Sequence, residues 1–215
     1  MDELPESIRK QENAFAVLRK FARTRPPVER CELCTTRLAQ EHSHLLERST
    51  RQILCSCEPC AVLFSGQNSS RYLRIPRRPQ LLVDFQMSDL EWEGLMLPIN
   101  LAFFYRDAAA ERVVAMYPSP AGATESLLSF ESWVDIVARN PKLRTMEPDV
   151  QALLVNRMGA SKDYFLVPID ECYRLVGLIR THWRGLSGGN EVWKQMREFF
   201  SDLKRRCGHP EAISA

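Results

Sequence analysis

Five cysteines and two histidines lie within thirty residues of this chain, in the segment CELCTTRLAQEHSHLLERSTRQILCSCEPC at positions 31–60. Cys31 and Cys34 form one C-x2-C pair, and Cys57 and Cys60 form a second. A gap of two residues lets both thiolates of a tight turn face one ion, and two such turns complete a tetrahedron. The spacing therefore predicts a metal centre, with zinc as the expected ion.

Cys55, His42 and His44 are three further candidate ligands, although a tetrahedral ion needs only four. His42 and His44 are two positions apart, as are Cys55 and Cys57, so on a strand each pair would face one side. Three arrangements remain open. The extra residues hydrogen-bond the ligating thiolates, or a histidine replaces one cysteine, or two ions share a bridging thiolate. Without a metal, the cysteines would be buried apolar residues and His44 a core histidine.

Iron is the alternative metal for this segment. Four thiolates also hold a rubredoxin-type iron or an iron–sulfur cluster, and either would make the protein an electron-transfer module. Thr35 and Ala61 follow the two pairs at positions where rubredoxins usually have glycine. The run Cys55-x-Cys57-x2-Cys60 does not match a ferredoxin spacing. We therefore expect zinc.

The order of a C-x2-C pair, a His-Ser-His sequence and a second C-x2-C pair resembles the frame of HNH endonucleases. Ser43 stands where that family needs an acidic or histidine partner, and no histidine lies close after Cys60. We therefore predict no catalytic residues. A degenerate finger that binds nucleic acid through the basic segment 71–78 is kept as an alternative function.

Composition limits the class of protein and its location. Seven cysteines, most of them clustered, favour a metal over disulfides in a reducing compartment. The N-terminus MDELPESIRK lacks the basic and then apolar pattern of a signal peptide, and no apolar run approaches the length of a membrane span. We expect a cytoplasmic protein without a membrane span. A net charge of +2 does not indicate nucleic acid as the partner.

The patterning of the whole chain predicts an α+β fold. We expect a small treble-clef or zinc-ribbon-like finger followed by an antiparallel sheet covered by helices. An N-terminal amphipathic helix is predicted within 1–29, the finger and a basic linker within 30–79, the α+β domain within 80–208 and a tail at 209–215.

Within the α+β domain, hydrophobic periodicity locates the individual elements. Strands are predicted over five stretches, 81–87, 99–106, 112–117, 151–156 and 164–168. Residues 118–122 are predicted as a loop, followed by a helix that starts near residue 124 or 129 and ends at Asn140. Asp170 is predicted as the N-cap residue of the next helix, and the Gly188–Gly189 break separates it from the last helix.

Several stretches are familiar beyond the cysteine pattern: CSCEPCAVLF, DFQMSDLEWEGLMLPINLAFF, YPSPAGATESLL, PDVQALLVNR and VPIDECYRLVGLIRTHWRGLSGGNEVW. Together with the first C-x2-C pair, they resemble an uncharacterised bacterial domain family that is often encoded beside nickel–iron hydrogenase genes. The resemblance implies a non-enzymatic accessory role in hydrogenase assembly, maturation or electron supply. It also implies a hydrogenase subunit or maturation factor as the protein partner, and it transfers no functional residue beyond the Cys/His pattern.

Overall fold

The structure is a computed structural model of the chain. It describes residues 28–66, 71–126, 130–185 and 187–208. The helix predicted within residues 1–29 and the tail at 209–215 therefore lie outside the described residues, apart from Val28 and Glu29. Among the described helices, none combines the length and the apolar character that crossing a membrane requires.

A small antiparallel sheet follows the first C-x2-C pair. Its strands, in the spatial order β2-β1-β3, are β1 (Ser43–Glu47), β2 (Ile53–Ser56) and β3 (Tyr72–Arg74). Helix α1 (Glu58–Ser65) connects β2 to the segment before β3. The Ser43 hydroxyl donates to Glu58 over 2.6 Å and so ties α1 to the sheet. The segment predicted as a basic linker thus supplies β3, a strand of the finger itself.

The larger sheet is antiparallel throughout, and in the described residues its strand order is β4-β9-β8-β5-β6-β7. The strands are β4 (Gln80–Leu81), β5 (Leu101–Asp107), β6 (Arg112–Ser119), β7 (Gly122–Ser126), β8 (Gln151–Asn156) and β9 (Asp163–Pro168). All six residues of the central strand β8 are buried. A strand is buried along its whole length only when both faces of the sheet are covered.

Helices cover both faces of this sheet. They are α2 (Asp89–Gly94), α3 (Phe130–Arg139), α4 (Ile169–His182) and α5 (Gly189–Gly208), with a 3-10 helix at Pro141–Thr145. Side chains alternate along β5, so Phe103 packs in the apolar cluster of α4 and α5 while Phe104 packs in that of α2 and α3. Leu46 and Ile75 of the finger lie in the first cluster. The finger therefore packs against the same side of the sheet as α4 and α5.

Most predicted elements are present, and three differ. The strand predicted over 81–87 is wrong beyond its first residue, because only the two-residue β4 forms before α2. Ser88 and Glu91 form a capping box that starts α2, an S-x-x-E signal that was present in the sequence. The loop predicted at 118–122 and the earlier helix start near residue 124 are also wrong, since β6 runs to Ser119 and β7 covers 122–126.

The third difference concerns α4. Pro168 is its N-cap residue, and Asp170 lies inside the first turn, so the prediction that Asp170 caps the helix is wrong. One Asp170 oxygen accepts from the Glu171 N–H at 3.0 Å, and the other faces His44 at 2.6 Å. The carboxylate is used for a contact with the finger, which leaves the helix without a side-chain cap.

Arg51, in the loop between β1 and β2, joins the finger to the larger sheet. Its guanidinium donates to Asp149 over 2.7 Å and lies 4.8 Å from the centre of the Tyr105 ring. Asp149 also accepts from the Ala108 N–H at 3.3 Å, and its backbone has a φ of 65°. Asp tolerates this left-handed conformation better than most residues do.

We expect Asp149→Ala to lower the free energy of unfolding by about 3 kcal/mol, because Arg51 and the Ala108 N–H lose their acceptor. Asp149→Asn should lower the free energy of unfolding by less, since an amide oxygen still accepts and Asn tolerates the left-handed backbone. Denaturant unfolding curves measure both values. The exposed Asp84→Ala is the matched control, expected within about 0.5 kcal/mol of the wild type. Equal curves for all three variants would contradict the contact.

Candidate metal centre

The four cysteines of the two C-x2-C pairs converge. Their sulfur atoms all lie within 4.8 Å of one another, and the sulfurs of Cys34 and Cys57 are 3.6 Å apart. Four sulfurs at about 2.3 Å from a central ion would be separated by about 3.8 Å, whereas a disulfide bond is about 2.05 Å long. All four are free thiols. This group, the tetracysteine centre, therefore has the dimensions of a tetrahedral metal site.

Local structure brings each pair to the centre. The first pair lies in a tight turn that the Thr35 N–H closes by donating to the Cys31 carbonyl at 2.7 Å, with Thr35 at a φ of 64°. The second pair lies where β2 ends and α1 begins. Cys57 is the N-cap residue of α1 and Cys60 is in its first turn. A helix start aims its free N–H groups at the centre, where they favour negatively charged thiolates.

The centre has a covered side and an open side. Cys31 is 1% exposed and Cys60 is 8% exposed, whereas Cys34 is exposed. Burial of two thiols protects a bound ion from water, and the exposed Cys34 gives the ion a route in. The arrangement suits a structural ion that enters as the finger folds.

Hydrogen bonds favour the thiolate form of two of the cysteines, Cys34 and Cys31. The Thr36 hydroxyl lies 3.4 Å from the Cys34 sulfur and, together with the Thr36 N–H, lowers the pKa of Cys34 to about 6. Burial alone would raise the pKa of Cys31. Hydrogen bonds from the N–H groups of Cys57, Cys34 and Leu33 have the larger combined effect, so the pKa of Cys31 also lies below its ordinary value.

Cys60 behaves differently from these two. Its burial and the neighbouring thiols raise the pKa of Cys60 above its ordinary value. A coordinating thiol is deprotonated when the ion binds, so Cys60 becomes a thiolate only with the cation in place. Metal binding at this centre should therefore release protons.

The structure separates the seven candidate residues into two groups. The ligand atoms of His42, His44 and Cys55 form the second group, within 4.8 Å of one another. Cys55 and Cys57 do not belong to the same group, contrary to the prediction that they face one side. Strand β2 ends at Ser56, and Cys57 already belongs to the start of α1, so the alternation does not continue.

Sequence reasoning missed Asp170, which contacts this second group from the larger sheet. Asp170 faces His44 from a position 126 residues away in the chain. No local pattern signals such a contact, because Asp170 also fits the start of a helix. The other two cysteines do not join either group, and Cys172 is buried in the apolar cluster of α4 and α5.

The basic segment 71–78 has its charges largely paired. Arg71 pairs with Glu47, Arg74 pairs with Glu58, and Arg77 lies 3.9 Å from Glu41. The Arg71 hydrogen bond lowers the pKa of Glu47, which keeps this buried carboxylate ionised. Guanidiniums used in this way are less available to phosphates, so the segment offers little support for the nucleic-acid alternative.

An α+β body that carries four converging cysteines defines a candidate metal-binding protein. A family model described as a family of unknown function, DUF5947, matches residues 30–207, and the chain belongs to that family. The match begins one residue before Cys31 and covers the finger and the larger sheet together. The comparisons with curated proteins and with solved structures found no significant match.

Proposed function

We propose that the protein is a non-enzymatic, metal-binding accessory protein in which Cys31, Cys34, Cys57 and Cys60 hold one structural zinc ion. The observation that carries this proposal is the convergence of the four sulfurs within 4.8 Å. Zinc is favoured over iron because it is redox-inert and accepts tetrahedral thiolate sites without a cluster. The role of the ion is to fold the finger and hold it against the larger sheet.

The order of the local elements supports a treble-clef finger. A turn with the first pair is followed by the β1–β2 hairpin and then by α1, whose start carries the second pair. We propose a finger within 30–79 and an α+β domain within 80–208, which share an apolar cluster through Leu46 and Ile75. The reduced thiols that the centre needs support a cytoplasmic location.

Exposed apolar side chains on α1 support a protein partner. Val62 is 59% exposed, Leu63 74% and Phe64 42%. These three residues are consecutive on an eight-residue helix, and burying their exposed apolar surface would favour the binding of a protein partner. The further step, that the partner is a subunit or maturation factor of a nickel–iron hydrogenase, is supported only by the resemblance of the sequence stretches to a family encoded beside such genes.

Elemental analysis of anaerobically purified full-length protein, with its absorption spectrum, tests the proposal. We expect zinc, no visible absorption, and the loss of one ion per chain in Cys34→Ser. Cys207→Ser is the matched control, since Cys207 lies outside both groups and should keep the wild-type zinc content. A coloured sample that bleaches on reduction would favour the electron-transfer alternative. Wild-type protein with neither zinc nor iron would end the proposal.

A further inference from the structure

The second group of ligand atoms lies on one face of the β1–β2 hairpin. His44 and Cys55 are direct cross-strand partners in the antiparallel register, so their side chains share a face. His42 precedes His44 by two residues and turns to the same side. One ring nitrogen of each histidine and the Cys55 sulfur lie within 4.8 Å of one another.

Both imidazoles are held in the orientation that a metal ligand needs. His42 Nδ1 lies 3.0 Å from the Ala39 carbonyl oxygen, and His44 Nδ1 lies 2.6 Å from an Asp170 oxygen. Both partners are acceptors, so the ring proton of each neutral histidine sits on Nδ1 and the lone pair on Nε2. A carbonyl or carboxylate behind the ring is the usual support for a metal-bound histidine.

The two Nε2 atoms are 3.1 Å apart. Two lone pairs at this distance repel each other, and in neutral rings with Nδ1 protonated neither nitrogen has a proton to donate. A cation between them and the Cys55 sulfur removes the repulsion. Two nitrogens at about 2.0–2.1 Å from a tetrahedral ion would be about 3.3 Å apart, close to the separation found.

The surroundings of Cys55 also favour a cation. Two carboxylates lie close to the group. Glu32 accepts from the Cys55 N–H, and Glu29 lies 3.6 Å from His42 Nδ1. Their negative charges attract a positive ion to this face of the hairpin.

We propose that His42, His44 and Cys55 form a second, mononuclear site for a divalent cation of borderline softness, zinc first, with its fourth coordination position open. The proposal does not depend on the tetracysteine centre being occupied. Three protein ligands and one free position distinguish this site from a closed structural site, and the free position accepts water or a donor from a partner molecule. The ion should therefore exchange faster than an ion held by four cysteines.

Through Asp170, the site connects the finger to the larger sheet. His44 and Cys55 belong to the finger, while Asp170 belongs to the first turn of α4 on the larger sheet. Asp170 is a positioning residue, since it acts on the ion through His44. Occupancy of the site should consequently favour the docked position of the finger.

Metal titration of the full-length protein tests the proposal, with zinc counted by elemental analysis and cobalt(II) used as a coloured probe. At saturation we expect two ions per wild-type chain and one in His44→Ala. Cys55→Ala should lose one ion and the thiolate-to-cobalt absorption that belongs to this site. Asp170→Asn should keep two ions at saturation but weaken the binding of one by roughly 10–100-fold.

Circular dichroism and the remaining ion report whether each variant is folded. The three substituted residues belong to three different elements, His44 to β1, Cys55 to β2 and Asp170 to α4. Retention of two ions in both His44→Ala and Cys55→Ala overturns the proposal. So does a wild-type chain that binds one ion at saturation and loses it in Cys34→Ser, because the His/Cys group would then hold no ion. Loss of both ions from a folded His44→Ala chain also overturns the proposal, because the two ions would then belong to one shared cluster and not to two separate sites. Cys34→Ser separates the two proposals, since it should empty the tetracysteine centre and leave the His/Cys ion in place.

Discussion

Chelation of the ion from the tetracysteine centre is expected to unfold the finger while the larger sheet stays folded. In the part of the finger that the structure describes, few apolar residues are buried and the sheet has three short strands. A core of this size supplies little stability by itself, and small units commonly add a metal or disulfide. Structural zinc supplies about 10–16 kcal/mol of apparent binding free energy in isolated zinc fingers, and that free energy is lost with the ion.

Hydrogen exchange read by mass spectrometry, with and without a strong chelator, measures this effect. Amides of β1 and β2 should lose protection after chelation, and those of β5 and β8 should keep it. Adding zinc back should restore the protection of the hairpin. Unchanged protection of β1 and β2 in protein shown to contain no metal would contradict a structural role for the ion.

The sequence was sufficient to identify the residues of the tetracysteine centre as candidates, because C-x2-C spacing is a local property. The same holds for β5, β8 and β9, whose apolar runs are long enough to identify by pattern. Strand β8 is predicted with the same bounds that the structure shows, 151–156. This pattern is recognisable because burial on both faces favours a continuous apolar run, here residues 152–155 between the buried polar residues Gln151 and Asn156.

Two features could not be predicted because they depend on tertiary placement. The division of the ligand candidates into two groups depends on β2 ending at Ser56. Sequence patterns do not locate the end of a strand to within one residue. The pairing of His44 with Asp170 depends on how the finger docks on α4. A local rule assigned Asp170 to helix capping, and the tertiary contact with the imidazole replaced that role.

Phe165→Ala is expected to lower the free energy of unfolding of the larger sheet by about 3–5 kcal/mol. Phe165 is fully buried on β9, between β4 and β8, and faces Leu154 across the β8–β9 register. Its ring stacks on Phe200 of α5, with the ring centres 6.1 Å apart. Truncation removes the ring and leaves a cavity between the sheet and α5 that rigid neighbours cannot fill completely.

Denaturant unfolding, followed by circular dichroism, measures the loss, and the metal content reports on the finger separately. Val83→Ala, at a position 79% exposed, is the control and should change the stability by less than about 0.5 kcal/mol. The loss of unfolding free energy in Phe165→Leu should lie between those of Phe165→Ala and Val83→Ala, because leucine keeps part of the buried volume. Since the ligand cysteines lie outside this cluster, the folded Phe165→Ala protein should retain its tetracysteine ion. A loss below about 1 kcal/mol would mean that β9 and α5 do not pack as described.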